Sequence, residues 1–118
     1  MKSEIKFDDF VKLDIRVGKI TKVEEIKGAD KLYKLQVNFG KFKRQILSGI
    51  KKYYSVEDLK GKQAIFIVNL PPRKIRGELS EGMILCADDG KTIIFIAPEK
   101  KIKNGSVWRR NDIAKSKT

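Results

Sequence analysis

Hydrophobic and polar residues alternate along the first half of the chain, which predicts β-strands. Between residues 13 and 17 every second side chain is apolar, and the phase changes at Gly18, which predicts a bulge or sharp bend there. Residues 32–39 show the same alternation, and they direct one apolar face inward; its members are Tyr33, Leu35, Val37 and Phe39. Residues 42–47 continue as a third strand after a turn at Gly40. A long bent first strand followed by a hairpin is typical of a small barrel.

The second half of the chain predicts one helix and further strands. Ser55-Val-Glu-Asp58 has the spacing of a capping box, and Gly61 is a suitable helix stop. Residues 63–70 are almost continuously apolar, as in a strand buried on both faces. Residues 82–87 and 92–97 are predicted strands around a turn at 88–90, and residues 27–30 are another predicted turn. Residues 5–12 predict a helical turn whose Phe7 and Phe10 cover a barrel end.

These elements together predict an all-β fold. Five main strands, a bent first strand and one short helix between the third and fourth strands describe a Greek-key barrel of the OB-fold type with a C-terminal extension. Other small barrels remain alternatives on the pattern alone. The prediction is one domain over residues 1–112 and a basic tail over residues 113–118.

The connection after residue 70 combines stiffness with positive charge. Pro71 and Pro72 restrict the backbone and cannot donate hydrogen bonds, so we expect the preceding strand to end at residue 70. Three cations follow within four residues: Arg73, Lys74 and Arg76. Guanidinium groups suit phosphate oxygens, so the sequence predicts a rigid basic loop that contacts an anionic ligand. Ser80 fits either a phosphate contact or a turn cap, and Met83 fits either a stacking contact or the core.

Composition narrows the function. The chain of 118 residues has 27 Lys and Arg against 15 Asp and Glu, a net charge of +12, which favours a polyanionic partner. Histidine is absent, and the single cysteine, Cys86, is expected in the core, so we predict no catalytic site, no metal site and no cofactor. There is no apolar leader and no membrane-length apolar run, so we expect a cytoplasmic protein without a membrane partner. A second basic stretch at residues 41–52 is followed by Tyr53 and Tyr54, which either bind bases or simply pack.

Six blocks in order resemble a known family. They are Lys12-Leu-Asp-Ile-Arg-Val-Gly-Lys19, Ala29-Asp-Lys-Leu-Tyr33, Ser48-Gly-Ile50, Lys52-Tyr-Tyr54, Asn69-Leu-Pro-Pro-Arg-Lys-Ile-Arg-Gly77 and Ser80-Glu-Gly-Met-Ile-Leu-Cys-Ala87. Together they resemble the tRNA-binding domain appended to methionyl-tRNA synthetases, which also occurs as free-standing proteins and in endothelial-monocyte-activating polypeptide. Many members have His-Pro where this chain has Lys27-Gly28.

The resemblance implies an OB-fold that recognises tRNA by shape and phosphate backbone and assists a methionyl-type synthetase without being an enzyme itself. It also implies a homodimer formed through the region after the barrel, residues 88–112. The residues that it implies for RNA contact are Lys31, Arg44, Ser48, Asn69, Arg73, Lys74, Arg76, Ser80 and Met83. The alternative is a dimeric export-chaperone-like protein that binds peptides on the same barrel.

Overall fold

The computed structural model describes residues 1–109 as a predominantly β structure. Its elements are α1 (Phe7–Phe10), β1 (Ile15–Ile26), β2 (Ala29–Asn38), β3 (Lys43–Ser48), α2 (Val56–Leu59), β4 (Gln63–Ile67), β5 (Arg73–Ile75), β6 (Glu78–Ser80), β7 (Met83–Ile84), β8 (Cys86–Asp88) and β9 (Ile93–Phe95). Residues 113–118, predicted as a basic tail, lie outside the described residues, as do the last three of the predicted dimer segment, 110–112.

Five antiparallel strands form the main sheet in the order β3-β2-β1-β4-β7. The long β1 joins the two halves, since its first part pairs with β4 and its second part with β2. The end strands β3 and β7 come close to each other, and Glu81, two residues before β7, donates its N–H to the Gln45 carbonyl of β3 at 2.7 Å. The all-β, OB-like fold with a helix, α2, between the third and fourth strands is therefore confirmed.

The bulge in β1 lies elsewhere than predicted. Gly18 pairs regularly with Ala64, and the register shift against β2 falls at Thr21 instead. Gly18 is required by packing: a Cβ there would lie 2.5 Å from Val37 Cγ1 and 2.6 Å from Phe39 Cε1. The bulge at Gly18 was therefore wrong, because the glycine accommodates neighbouring core side chains.

The core follows the alternation of β2. Tyr33, Leu35, Val37 and Phe39 are all buried, as predicted. The Phe39 ring meets Phe66 edge to face at 5.4 Å between centroids. The other fully buried large side chains come from β1, β3 and α2: Ile20, Ile46 and Leu59. Aromatic pairing of this kind adds to the burial of apolar area that stabilises the barrel.

The helix α2 has the predicted cap. Ser55 Oγ accepts from Asp58 N–H at 3.2 Å, and Asp58 accepts from Ser55 N–H at 3.1 Å. These hydrogen bonds, first among them the backbone one from Ser55, lower the pKa of the Asp58 carboxyl. Gly61 follows with φ +86°, so it ends the helix in a conformation that glycine adopts at little cost.

Several element boundaries depart from the sequence predictions. β2 begins at Ala29 inside the predicted turn, and β4 ends at Ile67, three residues early. The predicted strand 82–87 is divided at Leu85 into β7 and β8, because Leu85 N–H donates to Ile65 O while β8 turns to pair with β9. The predicted strand 92–97 is the shorter β9.

The N-terminal helix also has a different partner from the one predicted. Phe10 packs on Trp108 with ring centroids 4.4 Å apart, and Phe7 lies beside Phe10. Trp108 in turn is held by two hydrogen bonds, from its backbone N–H to Ile15 O and from its indole to Leu13 O. The two phenylalanines therefore cover the C-terminal segment and are not part of the buried core cluster.

Candidate nucleic-acid interface

The predicted rigid loop is a short β-hairpin. β5 and β6 pair from Arg73↔Ser80 to Ile75↔Glu78, so the two residues between them, Arg76 and Gly77, form its tip. Both have positive φ, +54° and +80°, which is the pattern of the tight turns preferred in two-residue hairpins. The sequence predicted a rigid basic loop here but not its two strands, because strands of only three residues give little alternation to detect.

Hydrogen bonds to β3 fix the position of this hairpin. Gln45 Nε2 donates to Leu79 O at 2.9 Å, and Gln45 N–H donates to Glu81 Oε1 at 3.0 Å. Lys34 Nζ on β2 lies 3.4 Å from Glu78 Oε1. The hairpin is thus anchored on the outer side of β2 and β3, and an anchored binding element loses little entropy when a ligand docks.

The exposed charge on the hairpin is positive. Its acid, Glu78, is paired with Lys34, whereas Arg73, Lys74 and Arg76 are exposed and form no ion pair within residues 1–109. Lys74 lies opposite Leu79, whose side chain is also exposed. Unpaired cations on a stiff projection can approach a phosphate backbone without first breaking internal contacts.

Two of the predicted contact residues form internal hydrogen bonds. Arg44 Nη1 donates to Val68 O and Glu81 O, both at 3.2 Å, and its guanidinium lies 5.0 Å from the Phe42 ring centroid. The Asn69 amide accepts from Asp14 N–H at 2.8 Å and donates to Lys12 O at 2.7 Å. These contacts give both residues a structural function at the root of the hairpin.

Two predicted serines are buried. Ser80 Oγ accepts from Leu47 N–H at 3.0 Å and donates to Gly82 O at 3.1 Å, so it closes the contact between β3 and the hairpin. Ser48 ends β3 opposite Tyr33 and is 7 % exposed. Of the two interpretations given for Ser80, the structure supports the capping one, since its hydroxyl already has two partners.

Lys31 and Met83 remain accessible. Lys31 is exposed near the start of β2, where its carbonyl accepts from Lys51 N–H. Met83 on β7 pairs with Ile67 on β4. Its side chain is 44 % exposed, so it does not fill the core. The structure therefore gathers the three hairpin cations in one place and leaves Lys31 and Met83 as separate exposed positions.

The second basic stretch, residues 41–52, and the tyrosines after it also contain both internally bonded and exposed side chains. Lys51 Nζ forms an ion pair with Glu25 at 2.6 Å, and this hydrogen bond raises the pKa of the lysine. The Tyr54 carbonyl accepts a hydrogen bond from Tyr33 Oη, and the Tyr54 ring packs against Phe95. Tyr53, in contrast, is exposed. Of the two interpretations given for the tyrosines, packing describes Tyr54.

The outer face of β2 and β3 was not predicted from the sequence as part of the interface. Lys34, Gln36 and Gln45 lie beside the hairpin, and Gln36 donates to Gln45 at 3.1 Å. The alternation of β2 had placed Lys34 and Gln36 opposite the core, so the signal was present. What the sequence did not show was that the hairpin folds back onto this face.

Neither a metal cluster nor a membrane helix occurs in the described part of the chain. Residues 1–109 contain no group of three or more His, Cys, Asp or Glu side chains placed to hold a metal ion. Over the same residues, no helix is long and apolar enough to cross a membrane.

Comparison with known proteins identifies the class. The model of the family described as "Putative tRNA binding domain" matches residues 15–107. The chain is 48% identical over 102 residues to the methionine--tRNA ligase of Thermococcus onnurineus, covering 86% of this chain and 14% of the ligase. It therefore spans about one seventh of that curated relative.

Solved structures agree with this class. The methionyl-tRNA-synthetase-related protein of Pyrococcus horikoshii superposes with a TM-score of 0.86 at 35% identity, covering 92% of this chain and all of that one. The chaperone CsaA of Bacillus anthracis superposes with a TM-score of 0.84 at 30% identity, covering 91% of this chain and all of that one. The chain belongs to the tRNA-binding domain family, and its likeness to the tRNA-binding part of methionine--tRNA ligases is confirmed.

Proposed function

We propose that this chain binds tRNA with its β5–β6 hairpin and the adjoining outer face of β2 and β3. The observation that carries the proposal is the hairpin, a stiff projection with three exposed cations that form no ion pair within residues 1–109, in a chain of the tRNA-binding family. Contacts of this kind bind phosphates, so recognition is by backbone shape and is accompanied by counterion release.

We propose further that the chain has no catalytic activity of its own and assists a methionyl-type synthetase in trans, in the cytoplasm. The similarity to one seventh of a methionine--tRNA ligase supports this, since the matched part is a tRNA-binding domain. Cofactors and metals have no part in the proposed mechanism. One domain over residues 1–112 would carry the binding function.

The hairpin is tested by replacing its charged groups with uncharged polar side chains. Arg73→Gln with Arg76→Gln should weaken tRNA binding and make the dependence of log K on log salt shallower by about 1 for each phosphate that is no longer neutralised. Lys2→Gln with Lys6→Gln is the control, because it removes the same charge from exposed N-terminal residues. Filter binding at several salt concentrations measures both effects. Equal affinities and slopes in the two variants would contradict the hairpin assignment.

A homodimer formed through residues 88–112 is part of the proposal. Ile94 and Ile96 support it, since these two large apolar side chains are 53 % and 44 % exposed. Such a face is stabilised by burial against a second copy. Ile94→Lys with Ile96→Lys should then yield monomers by sedimentation velocity, whereas an unchanged mass would contradict an interface at this face.

Peptide binding is the second candidate function. The likeness to the chaperone CsaA at a TM-score of 0.84 supports it, together with the same exposed isoleucines. This alternative predicts suppression of client aggregation at stoichiometric amounts and negligible affinity for tRNA at physiological salt. Measuring both properties on one preparation decides between the two functions.

A further inference from the structure

A lysine-lined cleft lies away from the hairpin, between the β1–β4 side of the barrel and the segment after β9. Its volume is about 560 Å³. Five lysines line it: Lys19, Lys62, Lys100, Lys101 and Lys103. The segment that forms its outer wall, residues 97–104, lies within the stretch 88–112 that the family resemblance implies for dimerisation, but neither the hairpin nor the resemblance assigns the cleft a ligand.

The side chain of Gln63 forms hydrogen bonds to the segment that makes the outer wall of the cleft. Gln63 on β4 accepts from Ile102 N–H at 3.1 Å, donates to Ile102 O and also donates to Asn104 Oδ1 at 2.8 Å. The segment that carries Lys101 and Lys103 is therefore fixed to the barrel. A cleft formed in advance in this way needs little rearrangement to take a ligand.

The charge of the cleft is not balanced by acids. No Asp or Glu is among its lining residues, and within residues 1–109 none of its five lysines has a carboxylate within 4 Å. Elsewhere five cations do have such a partner: Lys12, Arg16, Lys22, Lys34 and Lys51. Lys62 acts at longer range on Asp58, whose pKa its charge helps to lower. Like charges gathered in a cleft repel one another and attract an anion.

The cleft also has an apolar floor. Phe95, Pro98 and Ile102 line it, and Phe95 is supported from one side by Tyr54 at 5.1 Å between ring centroids. An aromatic ring among cations is the usual arrangement for unpaired nucleotides, whose bases stack while the phosphates meet the lysines. The bases of a paired helix are stacked on one another, so they offer no free face to this floor.

The main sheet connects the cleft with the face next to the hairpin. Lys43, Asn38, Lys19 and Gln63 are successive register partners across β3, β2, β1 and β4. Lys43 lies on the strand that anchors the hairpin, and Lys19 and Gln63 line the cleft. One strand of nucleic acid can follow this row from the hairpin to the cleft.

We infer that the cleft binds an unpaired segment of the RNA held by the hairpin, with bases on Phe95 and Ile102 and phosphates on the lysines. The inference rests on the proposed function and extends it to a second site. A second copy of the chain is a poorer occupant, because a two-fold contact here would bring the lysines of both copies together. The exposed Ile94 and Ile96 alternate with Phe95 along the chain, so they point away from the cleft.

The test compares three variants with the full chain: the cleft variant Lys100→Gln/Lys101→Gln/Lys103→Gln, the hairpin variant Arg73→Gln/Arg76→Gln, and the control Lys2→Gln/Lys6→Gln/Lys27→Gln, which removes three exposed lysines elsewhere. The probes are an unstructured oligouridylate and tRNA, measured by fluorescence anisotropy over a range of salt. The cleft variant should bind the oligouridylate more weakly than the control, with a salt slope shallower by about 2, since each neutralised phosphate of a single strand contributes about 0.7.

Lysine acetylation followed by mass spectrometry provides an independent measurement on the unmodified chain. Lys100, Lys101 and Lys103 should be protected by oligouridylate, whereas Lys2 and Lys6 should react equally with and without it. Equal binding by the cleft and control variants, or cleft lysines that stay reactive with RNA present, would overturn the inference. Protection of the cleft lysines without RNA that is lost in the Ile94→Lys/Ile96→Lys variant would assign the cleft to a second copy and also overturn it. If the cleft inference alone fails, the hairpin variant still loses tRNA binding; if the unaltered chain binds no tRNA, the proposed function fails as well.

Discussion

The backbone N–H of Leu47 donates to the Ser80 hydroxyl at 3.0 Å, and this buried hydrogen bond joins β3 to the base of the hairpin. Ser80→Ala leaves that N–H without its partner. We expect the free energy of unfolding to fall by about 1–3 kcal/mol, the cost of an unsatisfied buried group. Urea denaturation measures the change, and Ser3→Ala, at an exposed N-terminal position, should leave it unaltered.

The same variant separates structure from recognition. Because Ser80 is buried, tRNA affinity measured well below the unfolding transition should be close to that of the unaltered chain. Unaltered stability together with lost tRNA affinity would instead show that the hydroxyl contacts RNA directly.

The close packing around Gly18 predicts that a larger residue there lowers the stability of the fold. A methyl group there would overlap Val37 Cγ1 and Phe39 Cε1, so Gly18→Ala should destabilise the fold by about 1–3 kcal/mol through overpacking. Gly49→Ala is the matched control, since its nearest neighbours, Leu32 Cδ2 and Lys31 O, lie 4.0 Å from the added Cβ. Thermal unfolding of both variants measures the contrast, and equal melting temperatures would contradict it.

The capping box predicts a pH dependence. Hydrogen bonds from Ser55 lower the pKa of Asp58 in the folded state, so the ionised carboxyl stabilises the fold above its unfolded pKa of about 4. This contribution is lost as the pH falls through the lower, folded value. The stability difference between the unaltered chain and Asp58→Ala should therefore shrink between pH 6 and pH 3. Urea titrations at each pH measure it, and a difference that stays constant would show that the charged form is not the one stabilised.

The single thiol should react slowly in the folded chain. Partial burial raises the pKa of Cys86, so less thiolate is present at pH 8 than at an ordinary cysteine. Alkylation by iodoacetamide should be slower in buffer than in denaturing urea, and its rate should keep rising with pH beyond the range of a free thiol. Equal rates in the two solvents would contradict the effect of burial.

Two kinds of local feature could be predicted from the sequence: the alternation of apolar and polar residues along a strand, and the cap of a helix. The alternation of Tyr33, Leu35 and Val37 predicted the core face of β2, because side chains on a strand point to alternate sides. The cap at Ser55 was equally visible, since its partner is three residues away. Local rules suffice where both partners of an interaction lie within one element.

Relations between distant segments were not readable. Arg44, Asn69 and Ser80 were predicted to contact RNA on the strength of the family resemblance, and only the fold shows that their polar groups are used on backbone partners 24 to 57 residues away. The cleft escaped notice for the same reason: Lys19 and Lys101 are brought together by the Gln63 contacts to the C-terminal segment. Charge counting finds cations, but burial and pairing decide which of them are available.

The C-terminal segment has a consequence for the order in which the chain folds. Val17 exchanges hydrogen bonds with Gly105 and Ser106, and the Trp108 indole reaches Leu13, 95 residues earlier. During synthesis, one edge of the first half of β1 therefore stays unpaired until this segment has left the ribosome. Unpaired strand edges pair readily with other chains. A chain stopped before residue 105 would expose that edge permanently, so aggregation during translation, more than loss of binding, would be the first sign of its absence.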